Sequence, residues 1–261
     1  MARPPVTHQI AVIARYTLLE AARARLPHVA VAAAALLGAV SVFVASIALT
    51  ETTRMQLGTY AASARLAAVF VAALYALSSI AREFNDKGLE LLLALDLPRS
   101  HYILGKLAGL LAAAALLAAV TSIPLAFAAP FEAMLIWAFS LALELGIVMA
   151  LALFCAMTFR HTLGAASFVF GFYLLARVLT AVRLMSAHPL ADADSAFHHV
   201  SQRFADGLAL LVPALDDWTQ TAWLVTGAPA GPVLLALTGK TALYIALLTT
   251  AALVDFYRKN L

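Results

Sequence analysis

The chain has 261 residues, of which 64% are hydrophobic and 12% charged, and its formal net charge is +3. A soluble domain of this length could not keep so much apolar surface out of water, so the composition predicts a polytopic membrane protein. The single cysteine, Cys155, excludes an intramolecular disulfide. No nucleic-acid-binding signature is present. We therefore expect the chain to contact the lipid bilayer and no nucleic acid.

Residues 1–26 precede the first long apolar run. The stretch from residue 6 to residue 26 has helical character, but its arginines are spread around the helix, so the amphipathic signal is weak. It is either a basic tail that anchors the first span or a helix lying in the membrane interface. The apolar run that follows, 29–49, has 21 residues without a charge. That is long enough to span a bilayer and too long for the core of a cleaved signal peptide.

Six segments have the length and composition of membrane-spanning helices. They cover approximately residues 27–49, 61–81, 101–127, 133–159, 162–182 and 233–256. Six spans place both termini on one side of the membrane. That side carries 11 Lys and Arg residues and the other side carries 4, which predicts that both termini are cytoplasmic. With no internal repeat or linker, the chain is expected to form one domain over 1–261.

Residues 80–107 are the most highly charged long interruption between the apolar segments. Charged side chains recur there at spacings of three and four, which places them on one face of a helix. They are Arg82, Glu83, Asp86, Lys87 and Glu90. A short amphipathic helix that continues a span lies at the membrane surface, with its charged face free to bind a soluble partner. Pro98 is expected to end it, and Ser100 to cap the next helix.

The same segment resembles a known family. The matching residues are Glu83, Gly88, the run Leu89-Glu90-Leu91-Leu92, then Arg99-Ser100 and Gly105-Lys106. Together they resemble the signature between the second and third spans of ABC type-2 transporter permeases, which include multicopper-enzyme-maturation permeases. The number and order of spans extend the resemblance to the whole chain. One difference is Asp96, which stands where the family usually has a proline.

The resemblance implies an all-α permease with an interfacial elbow helix over 1–26, a cytoplasmic coupling segment over 80–100 and short re-entrant helices within 184–232. It implies that the coupling segment binds a separate cytoplasmic ABC ATPase subunit. The residues expected to do so are Arg82, Glu83, Asp86, Lys87, Gly88 and Glu90. ATP and Mg would then be bound by that partner, and no cofactor by this non-catalytic chain. The expected assembly is a homodimeric exporter in the bacterial inner membrane.

Two alternatives to an exporter stay open. One is a mechanotransmitting subunit that acts on a periplasmic protein without moving a substrate, and the other is an ATP-independent transporter or membrane scaffold. An ATP site in this chain is not expected. Gly239-Lys240-Thr241 matches only the end of a phosphate-binding loop, and it lies inside an apolar helix.

The outer segment, 184–232, is the other region with room for structure. An apolar stripe at helical spacing runs through it, and Asp217-Trp218-Thr219-Gln220 has the pattern of a capping box that opens a short apolar helix ending before Gly227. Such helices either lie flat on the outer surface or re-enter the membrane. His188, His198 and His199 in this segment are weak metal candidates, since adjacent histidines on a helix do not form a paired ligand set. Surface histidines are the alternative.

One acid and three cations lie in the outer half of the predicted spans: Glu144, Arg177, Arg65 and Lys240. Because such a group costs about 2.5–3.5 kcal/mol at the bilayer centre, Glu144 is expected to face protein, a partner charge or a wet cavity. In one interpretation the cations extend outward and Glu144 makes a structural hydrogen bond. In the other, Glu144 and Arg177 line an outward-facing cavity for a polar or anionic substrate group.

Gly105 and Gly109 form a GxxxG pair at the start of the third span. Small residues at this spacing allow two helices to approach closely. The pair packs either within one subunit or between two subunits.

Overall fold

A computed structural model describes residues 6–47, 51–85, 98–159, 161–187, 203, 207, 212–227, 229 and 231–258. This part of the chain is helical and contains no strand. The helices are α1 Val6–Arg23, α2 Leu26–Ile47, α3 Thr52–Asn85, α4 Arg99–Ser122, α5 Phe131–Thr158, α6 Thr162–Ala187, α7 Trp223–Thr226 and α8 Gly231–Arg258. Short 3-10 helices cover Ile123–Phe127 and Leu215–Asp217.

Within the described residues, six helices are long and apolar enough to cross a membrane, namely α2, α3, α4 with its 3-10 extension, α5, α6 and α8. The predicted all-helical, multi-pass architecture is therefore confirmed. We call the end of the bundle where α3 ends and α4 begins the Asn85 end, and the opposite end the Thr52 end. Helix α3 begins at Thr52, before the predicted 61–81 span. Its first turns are too polar for hydropathy to predict them as part of a span, although Leu57 and Tyr60 there are buried.

Helix α5 lies at the centre of the bundle. In its most apolar stretch 72% of the residues are buried, compared with 17% in α2 and in α8. It packs against α3, α4, α6 and α8. The outer faces of α2 and α8 expose large apolar side chains, as expected of helices that contact lipid.

The glycine pair of α4 packs against α1. A Cβ atom on Gly105 would lie 2.7 Å from the Cβ of Ile13, and one on Gly109 would lie 2.5 Å from the Cβ of Thr17. Those separations are far below van der Waals contact, so only glycine allows α1 to approach α4 this closely. The structure therefore supports packing within one subunit.

Two predicted helix caps are wrong. Helix α4 begins at Arg99 without a side-chain cap, because Pro98 occupies the N-cap and its carbonyl accepts the amide of His101 at 2.9 Å. In the outer segment, α7 begins at Trp223 with Ala222 at its N-cap and no side-chain cap, so Asp217 and Gln220 do not form the predicted capping box. The predicted end before Gly227 is correct.

Candidate functional site: two polar clusters

Lys106 is the centre of a polar cluster at the Asn85 end. Its side chain is completely buried in the second turn of α4. The ammonium lies 2.5 Å from Glu83 Oε1, 2.8 Å from Ser79 Oγ and 3.5 Å from Glu20 Oε2. An ammonium has three N–H donors, and it meets three acceptors here. The buried charge is therefore both paired and hydrogen-bonded, as its desolvation requires.

The cluster around Lys106 connects three helices. Glu20 of α1 also accepts hydrogen bonds from Ser79 at 3.0 Å and pairs with Arg82 at 2.8 Å, both in α3. The Tyr102 hydroxyl of α4 donates to the second carboxylate oxygen of Glu83. We call these six residues the lysine cluster: Glu20, Ser79, Arg82, Glu83, Tyr102 and Lys106. It fixes the last turns of α3 to α1 and to the start of α4.

The predicted coupling residues are only partly described by the structure. Arg82 and Glu83 belong to the lysine cluster, whereas Asp86, Lys87, Gly88 and Glu90 lie outside the described residues. The carboxylate of Glu83 is turned towards Lys106 in the interior of the bundle, with 26% of its side chain exposed, while 56% of the Arg82 side chain is exposed. A role of these residues in binding an ATPase stays a prediction.

A second polar cluster surrounds Glu144, near the middle of α5. Glu144 is completely buried. One carboxylate oxygen accepts the Tyr173 hydroxyl of α6 at 3.0 Å, and the other accepts the Thr219 hydroxyl. The Arg65 guanidinium of α3 donates to the main-chain carbonyl of Thr219. Arg65, Glu144, Tyr173, Arg177 and Thr219 are called here the glutamate cluster.

The glutamate cluster holds a short stretch of the outer segment, residues 215–219, which we call the pinned segment. Arg177 of α6 donates to the Leu215 carbonyl at 2.8 Å and lies 3.3 Å from the Asp216 carboxylate. The Trp218 indole N–H donates to Thr241 of α8 at 2.8 Å. With Arg65 of α3 and Glu144 of α5, four spans therefore contact this segment through polar bonds.

The structure places the four predicted intramembrane charges around this segment in different ways. Glu144 and Arg177 form no direct ion pair. Instead Tyr173, about one turn before Arg177 on α6, donates its hydroxyl to Glu144. Lys240 lies at the edge, 3.8 Å from Asp217, with 53% of its side chain exposed. Glu144 thus makes the hydrogen bonds of the first interpretation, but Arg65 and Arg177 bond inward to the pinned segment. Binding of a substrate by these residues stays a prediction.

Several participants were not identified from the sequence. Lys106 enters the sequence argument only through the count of cations and the resemblance to the family, and Glu20 gives no signal because the charges of α1 are spread around the helix. Thr219 has no predicted role of its own. A polar residue in the apolar part of one span, with a complementary residue in a neighbouring span, is a signal that could have indicated the Lys106–Glu83 pair.

No metal site is formed by the residues that the structure describes, since no three His, Cys, Asp or Glu side chains among them are suitably grouped. His188, His198 and His199, the predicted metal candidates, lie outside the described residues. A metal-binding role for them stays a prediction.

The chain was also compared with known proteins. No protein-family model and no curated protein matches it. Its function is therefore inferred from its own residues and their contacts.

Proposed function

We propose that the chain is the permease subunit of an ABC transporter, acting as an exporter in the bacterial inner membrane. Two copies would associate, with both termini cytoplasmic, and each would bind a separate ATPase subunit through residues 80–97. ATP and Mg would be bound by that ATPase, and the chain itself would catalyse nothing. The six spans and the resemblance of residues 80–107 to type-2 permeases support this proposal.

The observation that carries the proposal is the connection of α3 to its neighbours at the Asn85 end. Helix α3 continues without a break from Thr52 to Asn85. Its last turns are fixed to α1 and α4 by the lysine cluster. A displacement applied just beyond Asn85 would therefore move three helices together, because a buried, fully paired ammonium resists separation from its partners. A flexible junction at this point would absorb such a displacement.

Two further features of the family are proposed on the same basis. Helix α1 would be the elbow helix, since Arg15 and Arg23 are exposed while Thr17 and Ala21 are buried. The segment 212–227 would be re-entrant. Its support is Thr219, which reaches the Glu144 carboxylate near the middle of the 28-residue helix α5.

Charge reversal in the coupling segment tests the proposed contact with an ATPase. Glu83 is unsuitable because it pairs with Lys106, so the variant is Lys87→Glu combined with Glu90→Lys. The chain would be purified in detergent together with its co-encoded neighbours. We expect two copies of the chain per complex by mass measurement, and loss of ATPase stimulation in the variant without loss of membrane insertion.

The matched control reverses an exposed pair at the Thr52 end, Glu51→Arg with Arg54→Glu, whose side chains are 65% and 66% exposed. It should leave ATPase stimulation unchanged. A chain that purifies as a monomer without an ATPase, or an unchanged Lys87→Glu, Glu90→Lys variant, would contradict the proposal.

A mechanotransmitting subunit is the second candidate, because the interior that would hold a substrate is filled. Glu144, Trp218 and Thr219 are each at most 1% exposed. The variants Glu144→Gln and Arg177→Met distinguish the two candidates when assembly and basal ATPase activity are normal. Loss of function would then support export, whereas a mechanotransmitter would keep its effect on an outer partner.

A further inference from the structure

The pinned segment brings two carboxylates next to cations of the membrane spans. Asp216 lies 3.3 Å from Arg177 of α6, and Asp217 lies 3.8 Å from Lys240 of α8. Both acids belong to a three-residue 3-10 helix, which has few backbone hydrogen bonds of its own. The acids thus belong to the outer segment, whereas the cations that they contact belong to the spans.

The formal charges in this region balance only when the segment is in place. The spans contribute three cations, Arg65, Arg177 and Lys240, and one carboxylate, Glu144, whereas the segment contributes Asp216 and Asp217. A net charge within a low-dielectric region is unfavourable. If the segment moved away, the spans would retain an excess of two positive charges. That excess favours replacement of the two carboxylates by another anion.

Arg65 has unused hydrogen-bonding capacity at the same place. Its Nε is buried and has no hydrogen-bond partner among the described residues. Its Nη1 donates to a neutral acceptor, the Thr219 carbonyl. A guanidinium has five N–H donors and can bind a carboxylate or phosphate through two parallel N–H···O bonds. Arg65 is therefore better suited to an anionic ligand than to the carbonyl that it contacts.

We propose that Arg65 and Arg177, with Lys240 at the edge, form a binding site for an oxyanion, and that the pinned segment occupies this site in the present conformation. Asp216 and Asp217 take the place of the ligand's charge, and the Leu215 and Thr219 carbonyls take the place of its oxygens. The ligand is a molecule with a carboxylate or phosphate group. The inference rests on the proposed function, since it names the substrate class of that permease.

Trp218 provides a direct readout of the segment, because it is 1% exposed and bonded to Thr241. A chain with Trp137→Phe and Trp223→Phe would retain Trp218 as its only tryptophan. It would be placed in phosphatidylcholine nanodiscs, so that no anionic headgroup competes, and quenching of its fluorescence by acrylamide would be measured. Inorganic phosphate and acetate would be titrated separately at constant ionic strength, with chloride as the balancing anion.

We expect one of the two anions to increase quenching at least twofold and to saturate, which also distinguishes a phosphate ligand from a carboxylate ligand. Asp216→Asn should lower the midpoint, the anion concentration at half-maximal quenching, about tenfold. The reason is that the Asp216 carboxylate, which competes with the added anion for Arg177 through a charge-assisted bond, is removed. Arg65→Met should abolish the response, and Arg54→Gln should retain it.

Quenching that is the same in phosphate, acetate and chloride would overturn the proposal, as would an Asp216→Asn variant with an unchanged midpoint. The experiment contains no ATPase. Failure of ATPase coupling would therefore leave its result unaffected, and failure of the anion response would leave the proposed permease function standing.

Discussion

The lysine cluster and the glutamate cluster are both buried, but they hold different kinds of structure. In the lysine cluster, side chains of three helices bond to one another, so both partners of every bond belong to a regular helix. In the glutamate cluster, side chains of four spans hold a segment with little regular structure, largely through hydroxyls and main-chain carbonyls. Because the main-chain carbonyls that accept from Arg65 and Arg177 are uncharged and can be replaced by water or a ligand, the second cluster is the more easily exchanged. The Asn85 end is therefore a fixed junction, and the pinned segment is a releasable contact.

The largest expected effect is from Lys106→Met, which removes the cation of the fixed junction. Glu83 would then lose its cationic partner and Glu20 would keep only Arg82, and breaking a buried pair costs about 3–5 kcal/mol. The thermal unfolding midpoint in detergent, followed by circular dichroism, should fall strongly. Lys106→Met with Glu83→Gln should recover most of the loss. A single variant no less stable than Arg54→Gln, whose ion pair is exposed, would show that the cluster is not a fixed junction.

Gly109→Ala is expected to separate α1 from α4. Its Cβ would lie 2.5 Å from the Cβ of Thr17, so α1 must move, at a cost of about 1–3 kcal/mol. Trypsin should cleave faster within α1, at Arg15 and Arg23. The matched control is Gly38→Ala in α2, where a Cβ would meet nothing within 4 Å. Equal cleavage of the two variants would argue against a close α1–α4 contact.

Thr219→Val and Tyr173→Phe each remove one hydroxyl donor from Glu144. Together they test whether the pinned segment can move separately from α6. Each hydrogen bond should contribute about 0.6–2 kcal/mol within the membrane. Both variants should lose similar stability, but only Thr219→Val should increase acrylamide quenching of Trp218, since Tyr173 belongs to a span. Increased quenching in both variants would show that the segment and α6 move together.

Lys240→Gln should have the smallest effect. Its ammonium is 3.8 Å from Asp217, and both side chains are about half exposed, at 53% and 48%. Exposed ion pairs of this kind contribute about 0–1 kcal/mol. We expect the unfolding midpoint to change little at any salt concentration. A large destabilisation would place Lys240 inside the releasable contact and not at its edge.

The number and positions of the spans followed from hydropathy because a helix in lipid needs a long apolar surface, whatever it packs against. Packing of Gly105 and Gly109 within one subunit was among the predicted alternatives, because small residues at that spacing leave a groove for a neighbouring helix. The start of α3 was missed because Arg54 and its polar neighbours resemble a loop, and only the burial of Leu57 and Tyr60 against the bundle reveals the helix.

The partners within the clusters were not predictable in the same way. Lys106 bonds to Glu20, 86 positions away, and Thr219 bonds to Glu144, 75 positions away. Hydropathy and helix periodicity reveal contacts only between residues close in sequence. These two pairs are far apart in sequence, and they form only because of which helices are neighbours in the bundle. The same holds for Asp217, whose spacing to Gln220 is typical of a capping box, although its carboxylate lies beside Lys240 of α8 instead.

The position of α1 on α4 has a consequence for biosynthesis. The contacts of Gln9 with His101 and of Glu20 with Lys106 join residues 92 and 86 positions apart. At about 5–20 residues per second, the ribosome needs roughly 4–17 s to reach Lys106 after making Glu20. Helix α1 thus waits, without these partners, while α2 and α3 enter the bilayer. The orientation of the nascent chain must therefore be set before α1 is docked, by the apolar length of α2 and the arginines that precede it.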